Sequence, residues 1–161
     1  LSIRIRFAFE GDELDAQIQR GQYGFWASHC EAVMPDGAGI RYDDEVEGWY
    51  PTRAEDSWLR QLTVDIPATR VQAQKFYVFL GHQIGKPYDM RGLAGVQCHV
   101  EHHKQDRWSC AHLLYAALLA AGILRSAPRE LFKVTVRDLM IAIGALVELP
   151  EPEERPRASV S

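Results

Sequence analysis

No stretch of this chain is long and apolar enough to be read as a membrane span. The longest candidate, Leu113 to Leu124, falls short of the ~20 residues that a bilayer core demands, and Arg125 follows it directly. No charged block followed by an apolar one opens the sequence, because Ile3, Ile5 and Phe7 alternate with Arg4 and Arg6. A secretory signal is therefore not expected, and a cytoplasmic setting is. Cysteine is scarce: Cys30, Cys98 and Cys110 make an odd set, too sparse for a disulfide framework. At least one thiol should be free, which suits a reducing compartment. Runs of basic residues are missing too. The 18 Lys and Arg are outnumbered by 22 Asp and Glu, for a net charge of -4, so the concentrated basic face of a nucleic-acid binder is not expected. There is no internal repeat.

What is present suits an ordinary globular domain. The 161 residues are 47% hydrophobic and 25% charged, enough for one core and too few for two. Residues 2 to 9 alternate with a period of two, the mark of a half-buried strand. Gly11-Asp12 breaks it, and Asp12 to Arg20 reads as a short helix stopped by Gly21. Phe25 to Met34 reads as a second strand, turned at Pro35-Asp36-Gly37, with Ile40 to Val46 returning beside it. Glu47 to Arg53 and Trp58 to Ile66 look like further strands.

The second half is helical. Pro67 suits a helical first turn, and Val71, Phe76, Phe79, Leu80 and Ile84 follow at roughly helical spacing. After the loop Gly85-Lys86-Pro87-Tyr88-Asp89, Ser109 precedes a strong helix with Leu113, Leu114, Ala117, Leu118 and Ala121 on one stripe. A last helix should begin near Thr135, with Asp138 completing a capping box. Residues 150–161 are proline- and charge-rich and are expected to be a disordered tail after one domain over 1–149. Strands followed by helices predict an α+β fold.

Cys110 is the first candidate for chemistry. With Ser109 as N-cap it occupies the first helical turn, where the dipole and free N–H groups lower a thiol pKa and favour a developing oxyanion. A nucleophilic thiol also needs an imidazole within hydrogen-bond reach. A cysteine in that position is more often a small buried hydrophobe, so the surrounding pattern has to decide.

That pattern is Ser28-His29-Cys30-Glu31-Ala32-Val33-Met34-Pro35-Asp36-Gly37, then Gly85-Lys86-Pro87-Tyr88-Asp89, then Trp108-Ser109-Cys110-Ala111-His112-Leu113-Leu114. In this order the segments resemble the permuted NlpC/P60-type members of the papain-like superfamily, over roughly residues 25 to 140. The Val-Met-Pro-Asp-Gly after the histidine strand is most similar to versions encoded by phages and prophages. The resemblance implies an antiparallel sheet packed against the cysteine helix. It also implies a cysteine peptidase or amidase that works through an acyl-enzyme, on a cell-wall peptide or another amide. Cys110 matches the nucleophile, His29 the base, and Tyr88 the tyrosine that positions the nucleophile or the oxyanion. The third member of such sites usually lies on the strand after the histidine strand, which offers Arg41, Asp43 and Asp44. An acid would fix the imidazole tautomer, so Asp43 is preferred; Glu31, two residues beyond His29 on the same face, competes. This chemistry calls for no cofactor and no metal, and a cytoplasmic, phage-released or virion-associated protein fits it. Where the superfamily has Cys-Ser-Glu this chain has Cys110-Ala111-His112, leaving His112 as a surface residue or a substrate contact.

Two other readings compete. Cys98, His99, His102, His103, Cys110 and His112 carry zinc-ligand chemistry, but their spacing fits no recurrent zinc pattern, and an exposed histidine loop is the simpler account. A phage structural or binding protein that kept the fold and lost turnover is the other. Trp49, Tyr50 and Trp58 would then supply a partner or sugar surface, though strand tryptophans more often pack in the core. Under the enzyme reading, Cys110 should alkylate faster than Cys30 and Cys98.

Overall fold

The computed structural model describes residues 1–43, 48–52, 58–89 and 107–156, with the side chains of Asp43 and Thr52 outside the described set. The fold is α+β. A six-stranded antiparallel sheet runs in the order β4-β3-β2-β1-β5-β6. Its strands are β1 (Ser2–Phe9), β2 (His29–Val33), β3 (Gly39–Asp43), β4 (Gly48–Thr52), β5 (Arg60–Pro67) and β6 (Glu153–Glu154). The helices are α1 (Glu13–Gly21), α2 (Arg70–Gly81), α3 (Cys110–Ala120) and α4 (Val136–Gly144).

Register explains the layering. Ile3, Ile5 and Phe7 of β1 lie opposite Ile66, Val64 and Leu62 of β5, while Ile5 and Phe7 also face Ala32 and Cys30 of β2. Directly paired residues share a face, so one side of the sheet is apolar. It joins one core with residues of α2, α3 and α4. α3 differs from the striped helix expected of it: Cys110 to Leu118 are all buried, because sheet, α2 and α4 enclose it. An apolar helix with no polar face belongs inside a protein rather than on its surface.

Local differences from expectation have local causes. Pro67 closes β5 opposite Ser2 instead of opening α2, and α2 starts after Thr69, whose capping box with Gln72 satisfies the first turn. Residues 25–28 do not join β2. Their carbonyls are taken by side chains instead: Gln19 Nε2 donates to Trp26 O at 2.9 Å, and Gln22 Nε2 to Phe25 O and Ala27 O. The tail is ordered at its start. Glu153 and Glu154 pair with Gln61 and Arg60 on the edge of β5, aided by a 3.1 Å bond from Gln61 to Glu153. The capping box at Thr135 and Asp138 opens α4 as expected.

The opposite face of the sheet carries a buried charge row. Glu31 accepts from Arg6 at 2.9 Å on one oxygen and from Arg41 at 2.7 Å on the other. Gly39 makes room for it, since a Cβ there would fall on the Glu31 carboxylate. Gly39→Ala is therefore expected to cost about 1–3 kcal/mol by overpacking, read as a lower urea midpoint with an unchanged slope.

Candidate functional site

Cys110 opens α3 beyond Ser109, whose hydroxyl accepts from His112 N at 3.3 Å and caps the helix. The Gly85–Asp89 loop brings a tyrosine to that point. Gly85 takes a φ of +85°, a conformation that L side chains rarely adopt. This turns the chain so that Gly85 N bonds Trp49 O at 2.9 Å and Trp49 N bonds Lys86 O at 3.2 Å. The other end of the loop is tied to the approach to α3: Trp108 N donates to Pro87 O at 3.2 Å and Asp89 N to Trp108 O at 3.0 Å. Gln83 Oε1 accepts from both Lys86 Nζ at 2.6 Å and Trp108 Nε1 at 3.1 Å. Tyr88 is thus stitched beside the start of α3. Its ring stacks on Trp49 at 5.5 Å and meets Tyr42 edge-on at 5.4 Å.

Three side chains bear on that of Cys110: the His29 ring, the Cys30 thiol and the Tyr88 phenol. Tyr88 also takes a backbone hydrogen bond from Cys110. The electrostatics follow from these contacts. The hydrogen bond from Cys30 holds the Cys110 thiol well below its ordinary 9.0; burial opposes this, and the bond and charge of His29 add to it. For His29, burial alone would lower the pKa, but the bond to Cys110, its charge and that of Glu31 carry it above 6.5. Burial pushes Cys30 well up, and the Cys110 charge pushes it further, so Cys30 stays a thiol. The shifts of Cys110 and His29 both favour a thiolate beside an imidazolium.

No family profile, curated protein or solved structure matches this chain. Its site is therefore read from its own geometry.

His29, Cys110 and Tyr88 are brought together as the sequence suggested. The third member is not supplied by Glu31, both of whose oxygens are held by arginines; it reaches His29 only through its charge. Arg41 is committed to Glu31 and lies over the Trp58 ring at 5.0 Å. Asp43 pairs through its backbone with Gly48, while its side chain, like Asp44, lies outside the described residues. His29 Nε2 is buried with no partner among the described residues, which leaves Nδ1 as the nitrogen turned to sulfur. His112 is not a surface residue: it is 7% exposed and packs on Trp108 with ring centres 4.3 Å apart. Cys98, His99, His102 and His103 lie outside the described residues. Among those described, no group of three or more His, Cys, Asp or Glu is placed to hold a metal ion, and no helix is long and apolar enough to cross a membrane.

Two residues escaped the sequence reading. Trp58 is no exposed sugar platform but is 4% exposed, stacked on His29 at 5.4 Å and 20°. Cys30 appeared there only as a comparison thiol. The one available signal was its position next to His29 on a strand, and alternation would have turned it away from the histidine's partner. Both reach one sulfur because Cys110 lies at the open start of β2, where β3 pairs only with Ala32 and Val33.

A cleft of about 590 Å³ opens over His29, Arg41, Tyr42, Trp58 and Tyr88, with α1 and the turn before it forming the other wall. A smaller cavity of about 30 Å³ is lined by Cys110 with Ser28, Asp89 and Ser109, enough for one water. Ser28 and Tyr88 line both spaces. Trp58 fixes the plane of the imidazole by stacking, worth about 0.5–1.5 kcal/mol. Trp58→Leu is expected to slow iodoacetamide labelling of Cys110 at neutral pH by about 3–10-fold, read by mass spectrometry of the labelled peptide.

Proposed function

We propose that this protein is a cysteine hydrolase with a permuted papain-like domain of the NlpC/P60 type. It cleaves an amide, such as a cell-wall peptide, through an acyl-enzyme on Cys110. The observation that carries the reading is Cys110 buried at a helix N-terminus with its pKa lowered by Cys30 and His29, while His29 lines an open cleft. The histidine strand precedes the cysteine helix, which is the permuted order.

The steps use groups already in place. Thiolate sulfur attacks the amide carbon, a C–S bond forms, and the carbonyl electron pair moves to oxygen. The backbone N–H groups at the start of α3 and the Tyr88 phenol are the nearest donors for that oxygen. As charge leaves the sulfur, the phenol that was donating to it is released to follow the charge. His29 gives its Nδ1 proton to the leaving nitrogen as the C–N bond breaks, leaving a thioester and a neutral imidazole. Water, deprotonated by that imidazole, then attacks the thioester and returns the thiolate and the imidazolium. Trp58 stacks on the imidazole and the charge of Glu31 favours its protonated form.

The test is trapping. Incubation with a panel of activated esters and short peptides, including cell-wall peptides, should give an acyl mass on the Cys110 peptide and a burst of the first product. Uniform, slow alkylation of all three thiols with no acyl adduct would overturn the hydrolase. A selectively reactive Cys110 that forms no acyl adduct with any member of the panel would favour a non-catalytic binding protein on the same fold.

A further inference from the structure

We infer that the two spaces at Cys110 and His29 divide the substrate between them. The small cavity takes the acyl half, whose side chain must be short and apolar, about the size of alanine's, and the open cleft takes the leaving amine with whatever it carries. The inference rests on the hydrolase reading and deepens it by naming the class of amide that the site accepts.

The division follows from where the two reacting residues lie. In a cysteine hydrolase the sulfur bonds to the acyl carbon, while the histidine gives its proton to the departing nitrogen. The acyl half therefore sits on the sulfur's side and the leaving half on the histidine's. Cys110 lines the cavity of about 30 Å³ and His29 the cleft of about 590 Å³, and neither residue lines the other's space. Ile18, Ser28 and Tyr88 line both, so the scissile bond crosses that shared wall. The wall is fixed. Ser28 N donates to Ala8 O at 3.1 Å and its hydroxyl to Asp15 Oδ1 at 2.5 Å, while Asp15 Oδ2 accepts from Glu10 N and Gly11 N at 2.7 Å each.

Size and chemistry of the cavity then set the side chain. Its room is that of about one water, and a methyl group has similar bulk. Ile18, Ala111, Phe132, Val134 and Val136 give it an apolar lining. Ala111 and the two valines are each 3% exposed and belong to the core, so the cavity widens only by disturbing close packing. The polar side chains on its walls are already committed. Gln22 Nε2 donates to Phe25 O and Ala27 O, and its Oε1 accepts from Arg137 N at 3.3 Å. Ser109 Oγ caps α3, and Thr135 Oγ1 caps α4 by accepting from Asp138 N at 3.1 Å. Asp89, 1% exposed, is engaged as well, and the Tyr88 phenol serves the reacting carbonyl. A charged or strongly polar side chain would lose its hydration there without gaining a partner. The cleft has the opposite character: it is far larger, and Glu10, Asp12 and Arg41 stand on its walls.

The experiment compares N-acetyl-aminoacyl p-nitrophenyl esters of glycine, alanine, leucine, phenylalanine and glutamine. Sulfur bonds to the acyl carbon as the ester C–O bond breaks, so released nitrophenolate reports the rate and the acyl mass on the Cys110 peptide reports the site. Each rate is divided by that of glutathione with the same ester, which removes intrinsic reactivity. The leucine, phenylalanine and glutamine esters should acylate about 10–200-fold more slowly than the alanine ester. Phe132→Ala opens the cavity from a partly exposed position and should narrow the gap between leucine and alanine about tenfold. Phe132→Leu, a milder opening, stands in should that protein fail to fold by circular dichroism. Bulk on the other side should cost little: alanine phenyl and naphthyl thioesters should react within about threefold of each other. Equal rates across the side chains, a gap that neither Phe132 variant moves, or a penalty of about tenfold for naphthyl would each overturn the inference and leave the hydrolase reading intact. Acylation of Cys110 by no member of the series would overturn both.

Discussion

Cys110→Ala is expected to abolish turnover and acyl-adduct formation, and His29→Ala to lower kcat/KM by about 10²–10⁴, with both proteins still folded. The two side chains form one ion pair, so their effects should not add: the double variant should be no slower than Cys110→Ala alone. The pH profile carries the sign of the two shifts. Cys110 is lowered well below 9.0, so the reactive thiolate appears as pH rises through that lowered value and sets the acid limb. His29 is raised above 6.5, so the proton for the leaving group is lost only above that point and sets the alkaline limb. A bell-shaped kcat/KM is expected, with its acid limb far below an ordinary thiol and its alkaline limb above an ordinary histidine. The check is kcat/KM against pH in constant-ionic-strength buffers. An activity that simply rises towards pH 9 would mean an unactivated thiol.

Glu31→Gln is expected to be the most destabilising single change in the sheet, by about 3–5 kcal/mol, the cost of removing one partner from a buried ion pair. The Glu31 side chain is fully buried, while those of Arg6 and Arg41 retain 21% and 14% exposure. One carboxylate therefore pairs with two largely buried guanidinium groups. Its loss leaves two like charges on the strands either side of β2, and Arg6 already has a buried Nε without a partner among the described residues. Urea denaturation should show a large drop in midpoint with little change in slope. A second readout separates structure from site. Glu31 is one of the groups that raise His29, so in the variant that still folds the alkaline limb should move to lower pH. Gly39→Ala crowds the same carboxylate without removing its charge and should lower stability while leaving that limb nearly in place.

Much of this was legible without coordinates because it is local. Alternation over residues 2 to 9, the short helix after Gly11, the Pro35-Asp36-Gly37 turn, the Ser109 cap and the Thr135–Asp138 box each act within a few residues. Each appears where its spacing placed it. The errors were equally instructive. Pro67 reads as a helix start by its own chemistry, but pairing of β5 with Ser2 claimed it. The acidic tail reads as disordered by composition, but Arg60 and Gln61 offered it an open sheet edge. The stripe on α3 is real in sequence and has no consequence for exposure, since partners cover every side of the helix.

Cys110 and His29 were visible from the sequence as residue types in a recognisable order, and what that order determined was a thiol at a helix start and an imidazole at a strand start. Tertiary structure decided the rest. It set Trp58 against the imidazole, assigned Glu31 to two arginines instead of to His29, and turned Cys30 to the helix-facing side of the sheet. The reason is physical: a cap or an alternation is a contact between residues a few positions apart, whereas the pKa of Cys110 is set by groups 80 and 81 positions away along the chain. Those groups meet only when the sheet and α3 have packed.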